Sequence, residues 1–298
     1  MGLSTPDTLS DTTGVFQSYL IYLFRYLQTP MTAIQDMDVR ALNDAETSEN
    51  RIHSDEIALK YGFTGALVSG VNVFCYLSQP LSQHLGETFL DRTALSVKFF
   101  KPAYHDELLR IKTEKLQSAE DSSLFTSSAY NQQGVLLAQL ETVLGNNISD
   151  IREPQTISQD KQPTARPVIS WEGIHLDRAA EDFLWTPQNE DNRQRVDAQS
   201  DNNAMYRGPA AYIHPYYLLD ACNKALMRMF ILPAWIHTGS DVIIRRPIRV
   251  GQEILIRTVP TKKWERKGHQ FIRLSITMSI DDKPAIQVQH TAIFRIAA

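Results

Sequence analysis

Cysteine is scarce in this 298-residue chain: Cys75 and Cys222 are the only two, each inside an apolar run. Neither stands at metal-ligand spacing, and two isolated thiols exclude a disulfide framework; the expectation is a reducing, cytoplasmic compartment. No apolar stretch is long enough to cross a membrane, and the strongest candidate, residues 14–30, is broken by Arg25. That stretch has no basic leader and no small-residue cleavage site, which argues against a secretory signal. Basic runs are also missing. The 30 Lys and Arg are outnumbered by 34 Asp and Glu, for a net charge of -4, so nucleic acid is not an expected partner. His237, His269 and His290 fall in strand or turn context without ligand spacing, and no metal is expected.

What remains is an ordinary globular composition, 43% hydrophobic and 21% charged, in a chain long enough for two domains. Residues 1–30 are read as an N-terminal extension. They form either an amphipathic helix that packs on the domain or on a membrane surface, or sequence upstream of a natural start at Met31.

Residues 147–170 are polar, carry three prolines and show no period, as a linker would. They separate residues 31–146 from residues 171–298, and the two parts repeat one order of features. Each has a polar segment with an Asn, then an apolar helix candidate (71–85 and 216–230), then a strand running into a proline. Aligning Pro102 with Pro247 sets Phe99 on Ile244, with apolar residues alternating around both. A hairpin follows in each half, with turn signals at Asn131–Gly134 and Asp281–Lys283. Both helix candidates are apolar on most of their circumference and are expected to be buried. One buried helix followed by antiparallel strands predicts an α+β architecture, a sheet wrapped around a central helix, made twice.

These features resemble the double hotdog of the MaoC-like acyl dehydratase and (R)-specific enoyl-CoA hydratase family. In the first half the resemblance rests on "SENRIHSDEIALKYGFTGALVSGV" and "VKFFKPAYHDEL". In the second it rests on "SDNNAMYRGPAAYIHPYYLL", "IIRRPIRVGQEI" and "HTAIFR". The family pattern is an Asp, an Asn two residues later and a His five residues after the Asp, then a Gly at the start of the central helix. The resemblance implies two hotdog domains in one chain, a pseudo-dimer, with a homodimer of such chains left open. It implies an acyl-thioester substrate carried on coenzyme A or acyl carrier protein, and no cofactor.

Carried over by position, His53 matches the catalytic His, Asn50 the Asn, and Gly70 the helix-start glycine whose N–H would form an oxyanion site. The Asp position holds Ser48, whose hydroxyl has no useful basicity near neutral pH. It is read either as a water-orienting group or as an inert replacement or cap. Glu46 and Glu49 are the nearby carboxylates that would supply a base if the loop differs from the family, and Asp55 is read as a first-turn charge. In the second half Asp201 and Asn203 match, but Tyr206 replaces the His and Pro215, without an N–H, replaces the glycine. Asp201, Asn203 and Tyr206 are therefore expected to be a remnant, with His214 either lining a pocket or structural. The basic segment 262–270 is read either as a phosphate contact or as an exposed hairpin. The implied activity is hydration or dehydration of an α,β-unsaturated acyl thioester. The alternatives are thioester hydrolysis and a non-catalytic acyl-thioester binder or partner subunit.

Overall fold

The computed structural model describes residues 34–119, 122–146, 148–161 and 164–297, with the side chains of 117–119 left aside. The expectation for residues 1–30 lies outside the described residues. Strand β1 (Met37–Arg40) is the edge of a ten-stranded sheet. It is followed by β2 (Thr93–Phe99), β3 (Leu108–Ala119), β4 (Ser122–Tyr130) and β5 (Leu136–Gly145). A two-residue parallel pair, β6 (Ser158–Gln159) and β7 (Arg178–Ala179), forms a separate small sheet. The second half adds β8 (Phe183–Trp185), β9 (Ile236–Ile244), β10 (Ile254–Arg266), β11 (His269–Ile280) and β12 (Lys283–Arg295). The sheet order is β1-β3-β4-β5-β2-β9-β12-β11-β10-β8. The second half thus repeats the first in mirror order, and the halves meet where β2 pairs antiparallel with β9.

The strand alternation has its expected cause. On β12, Ile286 and Val288 lie in the main core, while Gln287 reaches the outer face and donates to the carbonyl of Ile151 at 2.8 Å. The β11–β12 turn has positive φ at Asp281 (50°) and Asp282 (57°). Both signs belong to a type I′ turn, whose twist matches the flanking strands. The same signs at Lys267 and Gly268 close the β10–β11 hairpin, so segment 262–270 is a hairpin tip. At the seam, β2 ends at Phe99 and β9 at Ile244, the two residues superposed by aligning the prolines. Gly239 is required there: a β-carbon on it would stand 2.7 Å from the Val97 carbonyl oxygen of β2.

Four helices are described: α1 (Asp55–Lys60), α2 (Gly70–Leu85), α3 (Asn189–Ala198) and α4 (Tyr216–Met229). Every residue of α2 from Val71 to Ser82 is buried, as a helix apolar on most of its circumference must be. Helix α4 differs from that expectation. It buries Leu218, Leu219, Cys222 and Leu226 but leaves Lys224 and Arg228 exposed, one turn apart, so it is amphipathic and forms one wall. The polar connection 148–170 is held against the sheet. Ile148 and Ile151 pack on Ala94, Leu124, Val143 and Ile243 on the outer face, and Arg245 donates to the Ile148 carbonyl at 2.9 Å. Asp55 opens α1, and its Oδ1 accepts from the Ala66 N–H at 2.7 Å.

Candidate active site

Asn50 caps a single 3-10 turn, Arg51–His53. A short side chain with an acceptor oxygen suits this position, because the first N–H groups of a turn have no partner within it. Its Oδ1 accepts from the N–H of Ile52 (3.4 Å) and of Trp235 (3.1 Å), and its Nδ2 donates to the Trp235 carbonyl (3.0 Å). Asn50 is therefore pinned to the second half by a two-way bond to one residue. The repeat preserves the device. Asn203 caps the turn Ala204–Tyr206, accepts from the Met205 N–H (3.2 Å) and donates to the Ser82 carbonyl of α2 (3.0 Å).

The other hydrogen of the Asn50 amide faces Nε2 of His53 at 3.3 Å. On the opposite side of the ring, Nδ1 lies 2.7 Å from the Leu67 carbonyl oxygen. A carbonyl only accepts, so Nδ1 carries the proton and Nε2 the lone pair. Burial pushes the His53 pKa below its usual value, with the Leu67 carbonyl and the charge of Asp44 opposing. The ring is neutral at pH 7, with its basic nitrogen directed at an amide N–H.

Gly70 is the first residue of α2, and Ser69 caps the helix by accepting from the Val71 N–H (3.3 Å). The Gly70 N–H has no acceptor among the described residues. A β-carbon on Gly70 would stand 3.3 Å from Nδ1 of His237 and from Cε2 and Cζ of Phe99. His53, Gly70, Phe99, Leu137, Trp235 and His237 are among the residues lining one cavity of about 300 Å³. The two halves build it together. Three buried polar atoms on its lining residues have no partner among the described residues: His237 Nδ1, Trp235 Nε1 and Asn223 Oδ1. Buried polar atoms left open in this way mark where a polar ligand group would be accepted.

Ser48, Glu46 and Glu49 do not line this cavity. The Ser48 hydroxyl donates to the Asn50 carbonyl at 3.2 Å, and Glu49 pairs with Arg166 at 3.0 Å. Glu46 lines a separate depression with Asp55 and His105. No carboxylate is hydrogen-bonded to His53 among the described residues. Asp44, which sequence reasoning missed, acts on it only through its charge. Its oxygens are held by Asn72 (2.9 Å) and by an ion pair with Arg195.

A His–Asp pair does exist, in the second half. Nε2 of His214 lies 3.3 Å from Oδ2 of Asp201, and each side chain is about 2% exposed. Tyr206 packs edge-on against His214 and is fully buried. Asp201, Asn203, Tyr206 and His214 line none of the four cavities described. The physical difference is in the connection. The first half inserts α1 and a turn between His53 and Gly70, whereas the second passes directly from Tyr206 to α4 and lays His214 over Asp201. Burial lowers the His214 pKa, and Asp201 opposes that shift.

His237 was also missed as a site residue. Strand alternation would put His237 and Ser240 on opposite faces. A bulge in β9 between His237 and Gly239, opposite Thr291 and Ala292, returns them to one face. His237 Nε2 then meets the Ser240 hydroxyl at 2.9 Å, and that hydroxyl meets His290 Nδ1 at 3.0 Å. The only sequence signal is the Gly239 beside it in "WIHTGS". Among the described residues no group of three His, Cys, Asp or Glu side chains is placed to hold a metal ion, and no helix is long and apolar enough to cross a membrane.

No family model matches the sequence, and no curated protein matches it. Solved structures do match in fold. One is assigned as a MaoC domain dehydratase from Chloroflexus aurantiacus, with TM-score 0.63, 8% identity, and coverage of 91% of this chain and 96% of that one. Another is a conserved hypothetical protein from Mycobacterium tuberculosis with a double hotdog fold, with TM-score 0.61, 10% identity, and coverage of 90% and 96%. A third is assigned as an oleoyl thioesterase from Lactobacillus plantarum, with TM-score 0.55, 13% identity, and coverage of 91% and 98%. The chain has the double hotdog fold, two helix-wrapping half-sheets joined at β2 and β9.

Proposed function

We propose that this protein adds water to, or removes it from, an α,β-unsaturated acyl thioester, using the cavity between residues 31–146 and 171–298. The observation that carries the reading is the pairing of two groups in one cavity. One is the neutral His53 with its lone pair on Nε2; the other is the free Gly70 N–H at the start of α2. The fold of proteins assigned as dehydratases supports it.

The chemistry needs no second ionisable group. As the Asn50 N–H turns from Nε2 to the incoming water, Nε2 of His53 takes a proton from that water while the water oxygen bonds to the β-carbon, and the electron pair moves to the thioester oxygen. The Gly70 N–H, at the positive end of a sixteen-residue helix, stabilises that oxygen. The His53 imidazolium then returns its proton to the α-carbon, and the ring is neutral again. The lowered pKa favours this return. Asn50 is a positioning residue that holds Nε2 or the water. Ser48 serves the loop through the Asn50 carbonyl, and Asp201, Asn203 and Tyr206 serve the fold. The carrier, coenzyme A or acyl carrier protein, lies outside the residues argued here.

The test is incubation with crotonyl-CoA and longer enoyl-CoAs, following enoyl absorbance and free thiol together. Loss of absorbance without thiol, abolished in His53→Ala, is expected. Thiol release would identify a thioesterase instead. Hydration that survives His53→Ala removes the site. The absence of a carboxylate bonded to His53 favours one second reading, an acyl-thioester binder, which would show tight binding with neither reaction.

A further inference from the structure

We infer that His237, from the second half, is the second donor to the thioester carbonyl oxygen, beside the Gly70 N–H. The inference rests on the thioester reading of the cavity above but not on the reaction that follows. Oxyanion sites work through two donors converging on one oxygen, and Gly70 alone supplies one. His237 is 7% exposed, lines the cavity and has an unpartnered Nδ1. That nitrogen stands 3.3 Å from the position a Gly70 β-carbon would take, so the start of α2 and the imidazole edge face the same small volume.

The tautomer follows from the chain behind it. Ser240 has one hydroxyl proton and sits between His237 Nε2 (2.9 Å) and His290 Nδ1 (3.0 Å). Two arrangements satisfy both contacts. In the first, His237 Nε2–H donates to Ser240 and Ser240 to His290, which leaves His290 with an N–H at Nε2. That atom has no partner, and His290 is fully buried. In the second, His290 Nδ1–H donates to Ser240 and Ser240 to His237 Nε2. His290 then keeps only an unused lone pair, and His237 carries its proton on Nδ1, facing the cavity. Each arrangement leaves one N–H without a partner among the described residues: the first at His290 Nε2, away from the cavity, the second at His237 Nδ1, on a residue that lines the cavity, where a ligand oxygen can accept it. A buried N–H that nothing can reach is the costlier defect, which favours the second arrangement. Burial lowers the His237 pKa to about 3, with the Gly239 backbone partly opposing. The group is therefore a neutral N–H donor, a form of imidazole able to polarise a carbonyl.

The experiment uses the full chain and a butyryl-CoA analogue in which CH2 replaces sulfur, with 13C at the carbonyl. The probe can be neither hydrated nor hydrolysed. On binding, the carbonyl stretch should fall and the 13C resonance move downfield. His237→Gln keeps an amide near Nε2, for Ser240, but offers nothing at Nδ1. It should bind the probe with most of that shift lost. His237→Asn places an amide N–H near Nδ1 and should restore it. On enoyl-CoA, His237→Gln should lose about 10²–10³ in kcat. If His237→Gln does not fold, 15N-histidine spectra of the wild type, assigned with His237→Asn, should show a neutral Nδ1–H that responds to the probe.

A carbonyl shift equal in His237→Gln and wild type overturns the inference, as does a His237 resonance indifferent to the probe. Failure of the wild type to bind the probe overturns it together with the thioester reading. A shift that depends on His237, in a protein that hydrates no enoyl-CoA, leaves the inference standing and removes the hydratase reading alone.

Discussion

The Asn50 amide joins His53 to the opposite half of the molecule. One N–H faces Nε2 at 3.3 Å, the other is fixed on the Trp235 carbonyl at 3.0 Å, and the amide oxygen accepts from Trp235 in return. Position 50 is thus a cap and a bond between the halves and, under the proposed function, the group that positions the base. Asn50→Ala leaves the Trp235 N–H and carbonyl unmatched, a cost of about 1–3 kcal/mol for a buried polar group. We predict a stability loss of that size with a fall in kcat for enoyl hydration. Urea denaturation beside the absorbance assay measures both, and a variant within about 0.5 kcal/mol of wild type contradicts the structural role.

Acid should weaken the protein through its buried histidines. Burial lowers the pKa of His53 and of His290, and it brings that of His237 down to about 3. Below the ordinary histidine value near 6.5 the unfolded chain takes up protons that the folded chain refuses. Their stabilisation is full above that pH and is lost as pH falls toward the folded values. Tm should drop between pH 7 and pH 4, and less steeply in His237→Asn. Parallel curves for the two proteins would contradict this. Activity has the same sign: kcat/KM should rise through an acid limb centred below 6.5 and stay level above it. A midpoint above 6.5 would mean that the titrating base is not His53.

The His214–Asp201 pair tests whether the second half works as a site. Both groups are sealed, and Asp201 also accepts from the Asn203 N–H at 2.9 Å. Asp201→Asn keeps the shape and removes the charge. Hydration should stay within about threefold of wild type while thermal stability falls, as for other changes to a buried polar pair. A drop in hydration beyond tenfold would show that the second half takes part in the chemistry.

Much of this was legible because the chain carries its pattern twice. Pro102 and Pro247 fixed the ends of β2 and β9, and Asn50 and Asn203 stood at matching places in the two halves, although their role as caps of two turns came only with the structure. The acidic pair at 281–282 fixed a hairpin. These are local signals, set by backbone geometry within a few residues. His237 and Asp44 were not legible, for opposite reasons. His237 reaches the cavity through a bulge, which breaks the period that strand reading relies on. Asp44 acts at a distance while its oxygens serve Asn72 and Arg195. Glu49 looked available in sequence but is held by Arg166, a residue of the connecting segment. Such pairings join residues far apart in the chain, where spacing gives no information.

Gly70→Ala separates the site from the fold most cleanly. Alanine keeps the backbone N–H, and its helix propensity, worth up to about 1 kcal/mol over glycine in a helix interior, is set against the close contacts of the added carbon, so the change in stability should stay within about 1 kcal/mol. The added carbon would meet His237 Nδ1 and Phe99 at 3.3 Å, closer than comfortable contact, and would occupy the space proposed for the thioester oxygen. We expect kcat/KM for enoyl-CoA to fall at least tenfold, about 1.4 kcal/mol in the barrier, while the protein stays folded with a Tm close to that of wild type. Retained activity in this variant would show that the oxygen binds elsewhere, since no substrate atom could approach the helix start past that methyl group.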